Sequence, residues 1–150
     1  MRFDQEFTVD APVGAVWAYL TDVPRMARCI PGASGVTPVD AATYEATVAA
    51  KIGPITARFA CRVEVLDLDA ERHTGAVEIS GKDIRLGGGV KARMQMRLEG
   101  DGPTRVTIVS DVDVLGKLGQ YGHGMIAKRA DVMLEAFAAC VRGTLAESGA

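Results

Sequence analysis

The residues able to do chemistry are few: His73 and His123, the cysteines Cys29, Cys61 and Cys140, and the close carboxylate pair Asp111 and Asp113. A metal site or a nucleophile with its base needs such groups at short or helical spacing. The two histidines are distant in sequence, and a metal site built on them would need carboxylate help that their spacing does not supply. His73 reads as a satisfied or solvent-facing residue at a strand start. Asp111 and Asp113 lie two apart in an alternating run, so both point to one face while Val112 and Val114 take the other. That predicts a solvated pair, not an acid–base dyad. The odd cysteine count, with no CxxC, predicts free buried thiols in a reducing compartment.

Gly122-His123-Gly124-Met125-Ile126-Ala127 has the spacing of a dinucleotide fingerprint. The fingerprint needs a strand after its helix and an acidic residue about twenty positions on. No such strand follows here, so Gly116 to Gly124 reads as a hinge before a helix. Gly87-Gly88-Gly89 lacks the lysine and hydroxyl of a phosphate loop and reads as a turn, bulge or mobile lip. Lys91, Arg93 and Arg97 form a basic row on the polar side of their strand: a solvated face, or a docking patch for an acidic partner.

The elements that must position these residues follow from hydrophobic period. Arg2 to Val9 alternates as a strand. Val13, Val16, Trp17 and Leu20 fall at helical spacing after Asp10, a candidate cap, and Pro12. Pro24 opens a second short helix, carrying Met26 and Ile30 and stopped by Pro31-Gly32. From Val36 to Val114 the period is two, with turns at Gly53-Pro54 and Asp101-Gly102-Pro103. A long helix, roughly 124–147, closes the chain, with Ile126, Ala130, Met133, Phe137 and Val141 as its apolar stripe. The order is one strand, two short helices, five or six antiparallel strands, then one long helix. A one-faced sheet and a one-striped helix must each bury apolar surface. The expected architecture is α+β, a single domain over 1–150 with a curved antiparallel sheet wrapped around the C-terminal helix.

Whether that interior is full or hollow decides the function. Inward strand positions include the small residues Ala46, Ala50, Ala57, Cys61, Gly75 and Ala92, and methionines recur opposite them. Small strand positions facing a Met-bearing helix predict an apolar cavity for a flexible ligand. Its lining is expected from Met26, Ile30, Phe59, Ala92, Met94, Met96, Leu118, Met125 and Met133, with Tyr121 or His123 meeting a polar head at the mouth. Burying a long apolar tail gains about 25 cal/mol per Å², so binding needs no catalytic residue. No catalytic residue, metal or required cofactor is predicted. With 17 basic and 19 acidic side chains the net charge is -2, which gives no general attraction to nucleic acid. No apolar run reaches the ~20 residues of a membrane span, and the N-terminus lacks a signal peptide's apolar core. A cytoplasmic protein is expected.

The segments Glu6-Phe7-Thr8-Val9-Asp10-Ala11-Pro12, Val16-Trp17, Leu20, Asp22, Cys29-Ile30-Pro31-Gly32, Tyr44, Lys51-Ile52-Gly53-Pro54-Ile55, Ala57-Arg58-Phe59 and Gly116-Lys117-Leu118-Gly119-Gln120 resemble the CoxG family of carbon monoxide dehydrogenase subunits, across nearly the whole chain. That family lies in the START-like, or polyketide-cyclase-like (SRPBCC), superfamily. The resemblance implies the helix-grip fold and a hydrophobic cavity. It implies association with a molybdenum hydroxylase and quinone cargo, menaquinone or ubiquinone, carried between enzyme and membrane. It also implies transient contact with the inner face of the cell membrane. Family members often carry a C-terminal membrane-reaching extension; this chain stops at Ala150, so no stable anchor is expected. The first reading is therefore a non-catalytic carrier or accessory protein. The alternatives are a cargo-free docking protein using Lys91, Arg93 and Arg97, and a cyclase- or hydrolase-like enzyme using Tyr44, Tyr121 or His123.

Overall fold

The computed structural model describes residues 1–52, 54–83 and 85–148; the side chains of Ile52, Tyr121, His123, Glu147 and Ser148 lie outside the described set. Strand β1 (Arg2–Val9) leads into helices α1 (Val13–Thr21) and α2 (Val23–Met26) and a 3-10 turn, Ala27–Cys29. Strands β2 (Ala33–Pro38), β3 (Thr43–Ile52), β4 (Ile55–Asp69), β5 (Thr74–Asp83), β6 (Gly88–Glu99) and β7 (Thr104–Gly116) follow. A second 3-10 turn, Lys117–Tyr121, precedes helix α3 (His123–Ser148). The strands form one antiparallel sheet in the order β1-β7-β6-β5-β4-β3-β2. This is the α+β helix-grip arrangement expected from the period change along the chain.

Pairing register decides which residues share a face. Tyr44, Val63, Ile79, Ala92 and Val112 stand opposite one another in a single row from β3 to β7. Val65, Val77, Met94, Ser110 and Phe3 form the adjacent row from β4 through β7 to β1. Their chain neighbours Arg62, Glu64, Glu78, Arg93, Asp111 and Asp113 are exposed on the convex side. A one-residue slip would exchange these two sets, so burial pins the register.

The start of α1 departs from expectation. Asp10 does not cap it; the carboxylate of Asp101, in the β6–β7 turn, accepts from the Val13 amide at 2.9 Å. A distant aspartate does here what a local one was expected to do, because the turn packs against the helix entry. His73, expected to be satisfied or solvent-facing, is half-buried, with its ring 5.5 Å from Trp17, edge to face.

The cysteines are a correction to the sequence reading. Cys29, in the first 3-10 turn, is bonded to Cys140 of α3, with Cα atoms 5.3 Å apart and 111 positions between them in sequence. Only Cys61 keeps a free thiol, and its burial raises the pKa, so it is a protonated, weakly reactive group. Spacing rules see local pairs; this pair exists because α3 returns to pack on the first 3-10 turn. The Tyr19 hydroxyl donates to Cys29 Sγ at 3.0 Å. Since Tyr19 is among the largest fully buried side chains, its hydroxyl needs such a partner.

Candidate functional site

The sheet's concave face carries two packed clusters at opposite ends. The upper one joins Phe7, Val9, Val16, Tyr19, Leu20, Cys29, Leu98 and Val106 to Ala138, Val141 and Leu145 of α3. The lower one joins Ala50, Ala57, Phe59 and Leu118. Leu118, 1% exposed, is the plug that the glycine-rich segment delivers to the sheet's lower end. Gly116 makes this possible: its φ of 67° is costly for other residues, and a Cβ there would strike the Gly87 carbonyl.

The two middle rows belong to neither cluster. Tyr44, Val63, Val65, Val77, Ile79, Ala92, Met94 and Val112 are each half-buried, although they lie at the centre of the sheet on its apolar face. Central apolar residues of a filled core would be buried like Val106 or Val141. Their partial exposure fits an open space between sheet and helix. Helix α3 behaves accordingly. Its C-terminal half buries Ala138, Val141 and Leu145, whereas Ile126, Ala130 and Met133 of its N-terminal half are only half-buried.

Helix α3 is fixed on both flanks. The Gln5 amide donates to Asp131 at 3.1 Å, Arg142 Nε donates to the Thr8 carbonyl at 2.7 Å, and Phe137 meets Phe7 edge to face at 6.1 Å. On the other flank stands the Cys29–Cys140 bond.

The structure distributes the expected lining residues over several places. Ala92 and Met94 lie on the middle rows, and Met133 is half-buried on α3. Met26 and Met96 pack against the upper cluster, and Ile30 is half-buried just after the first 3-10 turn. Phe59 and Leu118 are buried in the lower cluster and form a closed floor. Met125 is 42% exposed in the first turn of α3, outside the groove. The side chains of Tyr121 and His123 lie outside the described residues. Sequence reasoning missed Val63, Val65, Val77, Ile79 and Val112 as one surface, although their alternation was visible; only the register aligns them. It also missed Ser110, a buried serine beside Met94. Tyr44 and Ser110 are the polar side chains of the two middle rows. Among the described residues no group of three or more His, Cys, Asp or Glu could hold a metal ion.

Asp83 holds the lower end together. Buried at the end of β5, its carboxylate accepts from the amides of Arg58 at 2.8 Å and Leu86 at 3.0 Å. The Arg58 amide, then that of Leu86, lowers its pKa. A carboxylate with a lowered folded-state pKa adds stability above its unfolded value of about 4, and that stability is lost as pH falls through the folded value. Asp83→Asn should therefore lower the thermal midpoint at pH 7. The two proteins should converge in acid, as pH falls through the lowered folded-state value. Parallel melting curves at every pH would contradict this role.

The outer face is not the basic patch that Lys91, Arg93 and Arg97 suggested. Lys91 stands opposite Asp113, Arg93 opposite Asp111, and Arg97 pairs with Glu99 at 3.5 Å. A shallow depression of about 320 Å³ there mixes Arg62, Lys91 and Arg93 with Glu64, Glu78, Asp111 and Asp113, and Ile79, Ser80 and Ala92 also line it. The positive end is elsewhere. Lys51, Arg58, Lys82, Arg85, Lys117 and Lys128 are all exposed around the sheet's lower end, and Asp83 there is buried. Two exposed apolar side chains, Leu115 at 50% and Met125 at 42%, stand among them.

Residues 6–146 match the family model for the CoxG subunit of carbon monoxide dehydrogenase. The chain belongs to the CoxG family. Solved structures place the CoxG-family chain in the START-like fold. A conserved protein from Geobacillus kaustophilus superposes with a TM-score of 0.89 at 21% identity, covering 99% of this chain and 97% of that one. A START superfamily protein from Mycobacterium smegmatis gives 0.70 at 14% identity, covering 97% of each chain. The Zhui aromatase/cyclase from Streptomyces sp. R1128 gives 0.66 at 16% identity, covering 96% and 92%. At these identities the likeness is one of fold. Among curated protein sequences there is no match.

Proposed function

We propose that this CoxG-family protein is a non-catalytic carrier that takes a lipophilic molecule, a quinone such as menaquinone or ubiquinone, into the groove between sheet and α3. It would serve as accessory to a molybdenum-containing dehydrogenase of the carbon monoxide type. The observation that carries the reading is the pair of half-buried apolar rows at the centre of an otherwise packed concave face. An apolar wall open to water costs free energy until something apolar covers it. Family membership supports the accessory role and the dehydrogenase partner. The scarcity of polar groups on the middle rows favours binding over the cyclase-like alternative.

The cation-rich lower end supports brief contact with an anionic membrane surface. Its exposed Leu115 and Met125 would enter the interface while the lysines and arginines meet the headgroups. Among the described residues no helix is long and apolar enough to cross a membrane.

One experiment tests both parts. The protein is incubated with menaquinone-containing vesicles, separated by flotation, and weighed by native mass spectrometry. About one quinone per chain is expected. Loading should be faster from phosphatidylglycerol vesicles than from neutral ones, with the difference collapsing near 1 M salt, where screening acts within about 3 Å. Chains that stay empty from either vesicle would favour the cargo-free docking protein.

A further inference from the structure

We infer that Arg129 is the polar anchor of the groove, holding the oxygen-bearing head of an otherwise apolar ligand. The inference rests on the groove being a ligand site and adds the chemical class of its occupant.

Arg129 is half-buried on α3, and its Nε is shut off from solvent with no hydrogen-bond partner. It is the one buried side-chain nitrogen or oxygen in that state among the described residues. No ion pair among the described residues involves it either. The acids of α3 nearest in sequence lie toward β1: Asp131 accepts from Gln5, and Glu135 lines a cleft with Glu6 and Arg142. A guanidinium cannot shed its charge and carries five donors in a rigid fork. Leaving such a donor buried and unpaired costs stability that an apolar residue would not cost.

Its position on the helix points to what it serves. Arg129 precedes Cys140 by about three helical turns and so lies on the same flank. Cys140 fixes that flank to the first 3-10 turn through Cys29. Met133, one turn on, and Ile126, one turn back, are half-buried apolar residues on that same side of the helix. A cation with a buried, unpartnered donor among apolar side chains matches a ligand with an apolar body and an accepting oxygen at one end, a quinone carbonyl or a carboxylate. A bare hydrocarbon would leave the donors as they are.

The test uses the full chain and a neutral naphthylamine fluorophore displaced by three probes. These are a menaquinone with a two-isoprene tail, oleate, and a naphthalene with that same tail but no oxygen. The expected result is that Arg129→Met weakens an oxygen-headed probe about tenfold, as loss of a charge-assisted hydrogen bond does, and leaves the oxygen-free probe unchanged. Whether menaquinone or oleate suffers the loss identifies the head. Arg129→Met should also raise the ligand-free thermal midpoint. Arg129→Gln, which keeps a donor, should fall between wild type and Arg129→Met in binding. Equal weakening of all three probes, or of none, would overturn the anchor. Wild-type protein that binds no probe would instead overturn the groove as a ligand site, and the anchor with it.

Discussion

Cys140→Ser is expected to lower the free energy of unfolding by about 4 kcal/mol, and reductant should do the same to the wild-type chain. The reasoning concerns the unfolded state. The Cys29–Cys140 bond spans 111 positions, so it removes the conformational freedom of most of the chain before folding begins. Few single contacts in a domain of this size weigh as much. The bond is also the tie that holds α3 to the first 3-10 turn, opposite the Gln5–Asp131 and Arg142–Thr8 contacts on β1. Its loss should loosen α3 on one flank only. Thiol titration in denaturant provides the direct check: one thiol, Cys61, without reductant, and three with it. Three thiols in protein purified without reductant would show the pair unbonded, and an unchanged midpoint in Cys140→Ser would remove its energetic role.

Ala92→Phe is expected to weaken quinone binding by more than tenfold while leaving stability within about 1 kcal/mol of wild type. Ala92 sits in the row between Ile79 and Val112, half-buried, with no packed cluster around it. A phenyl ring there enters space the ligand would use. The stability arm separates hollow from full. Forcing a ring into a packed core costs about 1–3 kcal/mol, whereas filling an apolar hollow adds contacts. Met133→Trp, approaching from α3, should behave alike. Unchanged affinity in both variants would place the ligand elsewhere. Destabilisation of both would mean a filled interior and remove the carrier reading.

Most of the architecture was legible in the chain because its causes are local. Alternation over Tyr44 to Ile52 and Val90 to Leu98 leaves little but antiparallel strands with one apolar face, and the structure has them. The stripe Ile126, Ala130, Met133, Phe137 requires a long one-sided helix, found as His123–Ser148. The site was legible only in part. Small inward residues predicted a cavity, but Phe59 and Leu118, expected to line it, close its floor, and Met125 faces solvent. Composition cannot tell a wall from a floor, since both are apolar. Arg129 was passed over because on a helical wheel it reads as one more surface cation.

Three properties came only with the folded chain, each because it joins residues remote in sequence. The disulfide needs α3 to return to the first 3-10 turn. The Asp101 cap needs the β6–β7 turn to meet α1. Charge polarity needs the β3–β4 and β5–β6 turns and the start of α3 to gather at one end, so a net charge of -2 conceals a basic rim. The order of residues already dictated which surfaces were apolar and how each element would present them, since side-chain period follows from backbone geometry. Whether those surfaces meet or leave a space between them was decided by the curvature of the sheet and the two flanks on which α3 is held.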